Sequence, residues 1–233
     1  MDKQIIIDNN LCSLFQTGKY SYKLFIKGEN SKPIYWSLLK TNIIKGAFYN
    51  SEEQMLYFTA EKVATIYKKE KISDAKCIKM IDTLTRQIKY LETIQYAFYG
   101  HNVSDILVIN DDIFININAN TLLPITNNSI TFLYPFEKPY FVNPEIRMIK
   151  RLPSKIHFKS SYYSLAALII YCLLNEDIQD LKDEGDKDKK EEGDKDKKED
   201  KDKKEDKVLK PIFYTKIYWF LKRCLHKNIL LLI

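Results

Sequence analysis

The sequence predicts an α+β protein, and three features predict it. The first sixty residues are punctuated runs of Ile, Tyr and Phe, a long amphipathic helix follows them, and Ser161–Leu174 is an apolar segment with no charge on any side. A surface helix needs one polar face, so Ser161–Leu174 belongs in the interior with other elements packed round it. At fourteen residues it falls short of the roughly 20 that a bilayer span takes.

Taken in order, Ile5–Ile7, Tyr22–Ile26, Ile34–Leu39 and Met55–Thr59 read as strands. Gly18, then Gly28 with Asn30 and Pro33, then Asn50 with Ser51 separate them. Such short spacings favour antiparallel pairing. Residues 61–71 are polar and Lys-rich, a loop or short helix. Asp74–Phe98 is predicted as an amphipathic helix, because Cys77, Ile81, Leu84, Ile88, Leu91 and Ile94 recur at three- and four-residue intervals. Ser73 is placed to cap its start, and Gly100 stands just past its end, as helix C-termini prefer. Ile106–Ile109 and Ile113–Ile117 predict a hairpin about Asn110-Asp111-Asp112. From Asn118 to Pro153, with Pro124, Pro135, Pro139 and Pro144 between, the chain reads as a long irregular segment, packed because it is rich in Phe and Tyr. A last helix covers Tyr214–Leu225, with Ile217, Leu221, Cys224 and Leu225 on one face.

Composition bounds the function. The chain carries 37 Lys/Arg and 31 Asp/Glu, but residues 183–207 alone hold 13 acidic residues and 10 lysines. The remainder has 27 basic and 18 acidic residues, close to +9. That charge permits an acidic partner and reads most simply as a Lys-rich surface. Glu-Gly-Asp-Lys-Asp-Lys-Lys-Glu occurs at 184–191 and again at 192–199. With no apolar residue to bury, this tract is expected to be a solvated, disordered insert. Cys12, Cys77, Cys172 and Cys224 are far apart, with no Cys-x-x-Cys pair, so a zinc site is not expected and the chain reads as intracellular with reduced thiols. The opening apolar run is too short for a signal peptide, and Lys222, Arg223, His226 and Lys227 break up the terminal stretch, so no membrane association is expected. His101, His157 and His226 have no Cys or carboxylate at catalytic spacing and read as loop or surface residues. Ser160 and Ser164 lie near His157, but opening a buried helix suits them to capping rather than nucleophilic work. The basic end with Tyr218, Trp219 and Phe220 has the residue types that stack bases, but their helical spacing reads as packing. Nucleic acid is therefore not the expected partner.

A sheet, a long helix, a short hairpin, an irregular segment, a Pro-Glu pair and an uncharged buried helix come in the order of a protein kinase. Asn143-Pro144-Glu145 resembles the Ala-Pro-Glu that closes a kinase activation segment. The residues from Lys159 to Ala166 resemble the start of the kinase central helix, with Ser161 where that helix usually has Asp. Met55–Glu61 is similar to the last sheet strand running into the hinge, and Phe220–Leu225 to the helix before the terminal one. The chain resembles most the reduced kinase-like proteins of large DNA viruses. That resemblance implies a reduced antiparallel β-sheet N-lobe over residues 1–62, a mostly helical C-lobe over 63–182 and 208–233 with the insert 183–207 inside it, and a location in a host cell's cytoplasm.

Kinase chemistry needs an Asp at the substrate hydroxyl, an Asn and an Asp on magnesium and a Lys on the nucleotide phosphates. Two alignments of the catalytic loop are possible. In the adopted one, Gly100 stands at the catalytic Asp, Asp105 at the metal-binding Asn and Asn118 at the metal-binding Asp. In the other, Asp105 is the catalytic Asp and Asn110 the metal ligand, and the Asp-Phe-Gly position falls near Leu122-Leu123-Pro124. A metal carboxylate is missing in both. No Gly-x-Gly-x-x-Gly exists. Lys40, read as ending a strand after Leu39, is the candidate phosphate-binding Lys. Only 14 residues separate it from Met55, which leaves little room for a helix bearing its partner Glu, and Glu52 and Glu53 read as turn residues. These losses imply an inactive kinase-like protein, a pseudokinase, that binds protein partners and needs no cofactor. Two other readings stay open: a divergent serine/threonine-type kinase using magnesium–ATP through Asp105 and Lys40, and a basic nucleic-acid-binding module.

Overall fold

A computed structural model of the chain describes residues 4–66, 71–178 and 207–225. The charged tract up to residue 206, with His226 and Lys227, lies outside the described residues. The fold is mixed α+β with antiparallel sheets.

Strands β1 (Gln4–Asp8), β2 (Cys12–Gly18) and β3 (Ser21–Ile26) form a meander. Helix α1 (Ser31–Lys40) then crosses before β4 (Phe48–Asn50) and β5 (Met55–Thr59) complete a sheet of order β1-β2-β3-β5-β4. Alternation along β3 buries Tyr22, Leu24 and Ile26 while Ser21, Lys23 and Phe25 stay in partial or full contact with solvent. The expected strand Ile34–Leu39 is instead part of α1, a correction with a plain cause. Ile34 and Leu38 are four apart, so a helix puts both on the face that also buries Tyr35. Pro33 falls in the first turn, where its missing N–H is no loss. The Tyr35 hydroxyl accepts from Ile26 N at 2.6 Å and donates to Gln54 O at 3.2 Å, pinning the helix to the sheet. Glu52 and Glu53 are turn residues. Strands β2 and β4 had no separate sequence signal.

Next, β6 (Val63–Thr65) comes out of the Lys-rich stretch and pairs with β9 (Ile106–Ile109). Helix α2 (Asp74–Thr93) starts on Ser73, whose hydroxyl accepts from Lys76 N. It buries Cys77, Met80, Leu84, Ile88 and Leu91. It ends five residues before Phe98. Gln95 turns the chain at φ 61°, and β7 (Tyr96–Phe98) pairs with β11 (Leu122–Thr126). Cross-strand pairing takes these residues out of the helix, and Gly100 belongs to β8 (Gly100–His101) rather than to a helix cap. β9 and β10 (Ile113–Asn116) form the expected hairpin, with Asn110 and Asp111 at positive φ.

The segment expected to be irregular, Asn118–Pro153, is irregular over most of its length but holds three short strands and a short helix. β11 and β12 (Ser129–Phe132) form a hairpin about Asn127-Asn128, both at positive φ, and β14 (Ser154–His157) adds an edge. Two adjacent Asn residues supply the left-handed turn there. β13 (Phe141–Val142) pairs with β8, and α3 (Pro144–Arg147) follows it. Helix α4 (Ser160–Leu174) buries residues on all its sides and packs on α2, β8, β13 and α5 (Lys216–Leu225). Leu165, Leu168, Ile169 and Ile170 are each fully enclosed, a gain of roughly 1.5–3 kcal/mol apiece. Among the described residues no helix is long and apolar enough to cross a membrane.

Candidate functional site

Asp105 and Asn118 meet where the short turn Val103–Asp105 and the turn Ala119–Thr121 converge, and Gly100 lies in β8, just before the first of these turns. β8 lies against β13, with Gly100 opposite Val142 and His101 opposite Phe141. A Cβ on Gly100 would stand 2.8 Å from Pro139 Cγ and 3.0 Å from the Phe141 carbonyl oxygen. Only glycine fits there.

Asp105 is 1% exposed. Its carboxylate accepts from Asn102 N at 2.7 Å and from the Asn102 side chain, and a further hydrogen bond comes from the Asn118 side chain. Burial pushes its pKa up, and the Asn102 and Asn118 hydrogen bonds oppose that shift. Asn118 Oδ1 accepts from Asn120 N at 3.1 Å, which leaves its amide nitrogen for Asp105. Both candidate metal ligands are therefore engaged in holding the turns that carry them. Among the described residues no group of three or more His, Cys, Asp or Glu side chains could hold a metal ion.

His101, read from the sequence as a loop or surface residue, is 1% exposed. Its Nδ1 lies 2.7 Å from Asn116 Nδ2. Asn116 Oδ1 is occupied by Asn118 N at 2.8 Å, so Nδ2 is the donor and His101 Nδ1 the acceptor. The ring is neutral with its proton on Nε2. Burial lowers its pKa to about 4. Nε2 makes no hydrogen bond of full geometry, and a weaker polar contact to the Ser161 backbone pulls the value only partway back. Asn116 is in turn clamped by Gln87 of α2, which donates to Asn116 O at 2.8 Å and accepts from Asn116 N at 2.9 Å. His101, Asn102, Asn116 and Gln87 were missed. Gln87 had a legible signal, a polar residue on the buried stripe between Leu84 and Leu91.

The other candidates lie elsewhere. Lys40 is exposed in the last turn of α1, not at the end of a strand. The lysine of β3 is Lys23, on the face opposite Tyr22 and Leu24. It pairs with Glu53 at 2.9 Å and lies 4.4 Å from the Tyr57 ring centroid. α1 has no acidic residue. On the inner face the rings of Tyr22 and Phe58 stack 5.7 Å apart, both buried. The loop after β3 closes on the Asn118 turn: Asn30 donates to Leu122 O at 2.9 Å, and Gly28, at φ +109°, has Asn120 Oδ1 3.0 Å from where a Cβ would be.

Asn143 caps α3 by accepting from Glu145 N at 2.8 Å, Pro144 fills the first helical position, and Glu145 is exposed. Ser161 is fully buried, and neither its hydroxyl nor that of Ser160 has a hydrogen-bond partner among the described residues. The capping expected of Ser160 and Ser164 fails: Lys159 stands before α4 already helical, at φ −66° and ψ −5°, where an N-cap residue would be extended, and Ser164 donates to Ser160 O within the helix. All four cysteines are buried free thiols. No family model matches this chain, and no curated protein matches it.

Proposed function

We propose that this chain is a catalytically inactive kinase-like protein that acts as a protein-binding scaffold. The order of elements supports the kinase-like reading: a helix directly after the third strand, then α2, the β9–β10 hairpin, a segment ending in Asn-Pro-Glu, and the enclosed α4. Strand β9 starts directly after Asp105, which favours the alignment with Gly100 at the catalytic Asp, Asp105 at the metal Asn and Asn118 at the metal Asp.

The observation that carries inactivity is the fate of these three residues. The catalytic position has no room for any side chain, and the two metal positions hydrogen-bond each other and their own turns. Phosphoryl transfer is mostly the placing of charge around the phosphate and its magnesium. Here the Asp105 carboxylate is enclosed, the third-strand lysine faces outward, the first helix offers it no glutamate, and Tyr22 and Phe58 fill the inner face of the sheet. A fold that has lost its chemistry is left with its surface. Leu133, Tyr134 and Met148, at 61%, 77% and 66% exposure, put large apolar side chains among the exposed charges on either side of α3, where a partner could cover them.

A thermal melt with and without millimolar magnesium–ATP tests the reading. Ligand at a hundred times its dissociation constant adds about 2.7 kcal/mol, so binding moves the midpoint visibly. The expected result is no shift and no phosphate transfer. A shift abolished by Asp105→Asn would overturn the proposal.

A further inference from the structure

Residues 207–225 carry five Lys/Arg and no Asp or Glu. Within them Tyr214 is 92% exposed, Trp219 58% and Phe213 40%. They belong to one run of touching rings: Tyr214 on Phe213 at 4.5 Å, Phe213 on Tyr218 at 4.7 Å and Tyr218 on Trp219 at 5.1 Å. Tyr218 is buried and anchors the run, while both ends face water. Lys216, Trp219 and Arg223 are three and four residues apart on α5, so they share one exposed stripe with the indole between two cations. Tyr214 also has φ +68°. A bulky side chain in that region is strained, and strain kept at an exposed position points to function.

We propose that this basic aromatic run is a binding site for single-stranded nucleic acid, with bases stacked on Tyr214 and Trp219 and phosphates held by Lys216 and Arg223. Aromatic rings interleaved with cations are the chemistry of sequence-tolerant single-strand binding, and the absence of acidic residues across the run complements a polyanion. Bases inside a duplex already stack on one another and offer the rings no free face. A membrane surface is disfavoured because the aliphatic residues of α5, Ile217, Leu221 and Leu225, are buried and only rings and cations remain outside. This activity is independent of the scaffold role proposed above.

The test uses the full chain. Anisotropy of a fluorescein-labelled 20-nucleotide oligouridylate measures affinity across a salt series, and emission of Trp219 in a Trp36→Phe background reports stacking. Binding is expected to quench Trp219 and to weaken steeply with salt. Trp219→Leu and Tyr214→Gly are each expected to lose about tenfold in affinity, about 1.4 kcal/mol. Lys216→Gln and Arg223→Gln should each flatten the salt slope by roughly one. Tyr214→Gly carries a second readout, because relief of the strained backbone raises or holds the melting midpoint while binding falls. Absence of binding, affinity unchanged in both ring variants, or phosphatidylserine vesicles shifting Trp219 emission where the oligonucleotide does not, would each overturn the proposal.

Discussion

Gly100 shows how a single position fixes what a site can do. With Pro139 Cγ 2.8 Å and the Phe141 oxygen 3.0 Å from any Cβ, Gly100→Asp cannot place a carboxylate there without moving the β13 backbone. Overpacking of this kind costs about 1–3 kcal/mol. The expected outcome is a lowered melting midpoint and no gain of phosphotransfer with magnesium–ATP; a gain of turnover in that variant would refute the assignment of the position. His101 sets the pH response. Unfolded, it titrates near 6.5, and folded, near 4. Above pH 6.5 both states are neutral and the stability is complete. Between 6.5 and 4 the unfolded chain takes up a proton that the folded one refuses, so stability falls with pH, by on the order of 3 kcal/mol. Asp105 runs the other way: its pKa is raised in the fold, so the folded chain protonates it first and recovers part of the loss at lower pH. Urea midpoints from pH 7 to 5 should show the fall, and His101→Gln should flatten it by close to one proton. Neither His101 nor Asn116 was legible in advance. A lone polar residue beside an apolar run reads the same whether a partner meets it or not, and the partners here come from residues 15 and more positions away.

At the level of elements, α1 depends on one hydroxyl. Tyr35 satisfies Ile26 N inside the sheet core, and Tyr35→Phe leaves that N–H buried without a partner at a cost of roughly 1–3 kcal/mol. The same loss should raise the exchange rate of the Ile26 amide, measured by hydrogen–deuterium exchange; an unchanged rate would mean another acceptor takes over. Elements with a long period were legible. α2 and α4 announced themselves by buried stripe and by lack of charge, and the β9–β10 hairpin by Asn110-Asp111. Short elements were not. Ile34–Leu39 has the composition of a strand, and only the sheet it lands on decides that Ile34 and Leu38 share a helical face. Tyr96–Phe98 continues the apolar pattern of α2 but finds a strand partner in Leu122–Pro124. In both places a tertiary contact outweighs local preference.

Across the whole molecule, the five-stranded sheet and helices α1, α2, α4 and α5 share one apolar interior, and a second, smaller one gathers residues of β7, β11, β12 and α3. A single cluster of enclosed side chains runs from Leu14 and Leu24 of the sheet through Leu38 of α1 and Leu84 of α2 to Leu168 of α4 and Leu221 of α5. On the kinase-like reading proposed above, admitting a nucleotide would need the small and large parts to open. Tyr22 and Phe58 instead face inward, and the loop at Gly28 and Asn30 is tied to the Asn118 turn. Enclosure on this scale predicts that the two parts unfold as one cooperative unit. Leu24→Ala and Leu168→Ala, in opposite parts of the molecule, should each cost about 2–5 kcal/mol and should move the same urea transition, with tryptophan emission and far-ultraviolet circular dichroism coinciding. If the sheet part unfolded separately, Leu24→Ala would shift an early transition and leave the helical one in place, and the single cooperative unit would be refuted. Coincident shifts would instead support the closed, inactive reading proposed above, in which the molecule acts through its outer surface.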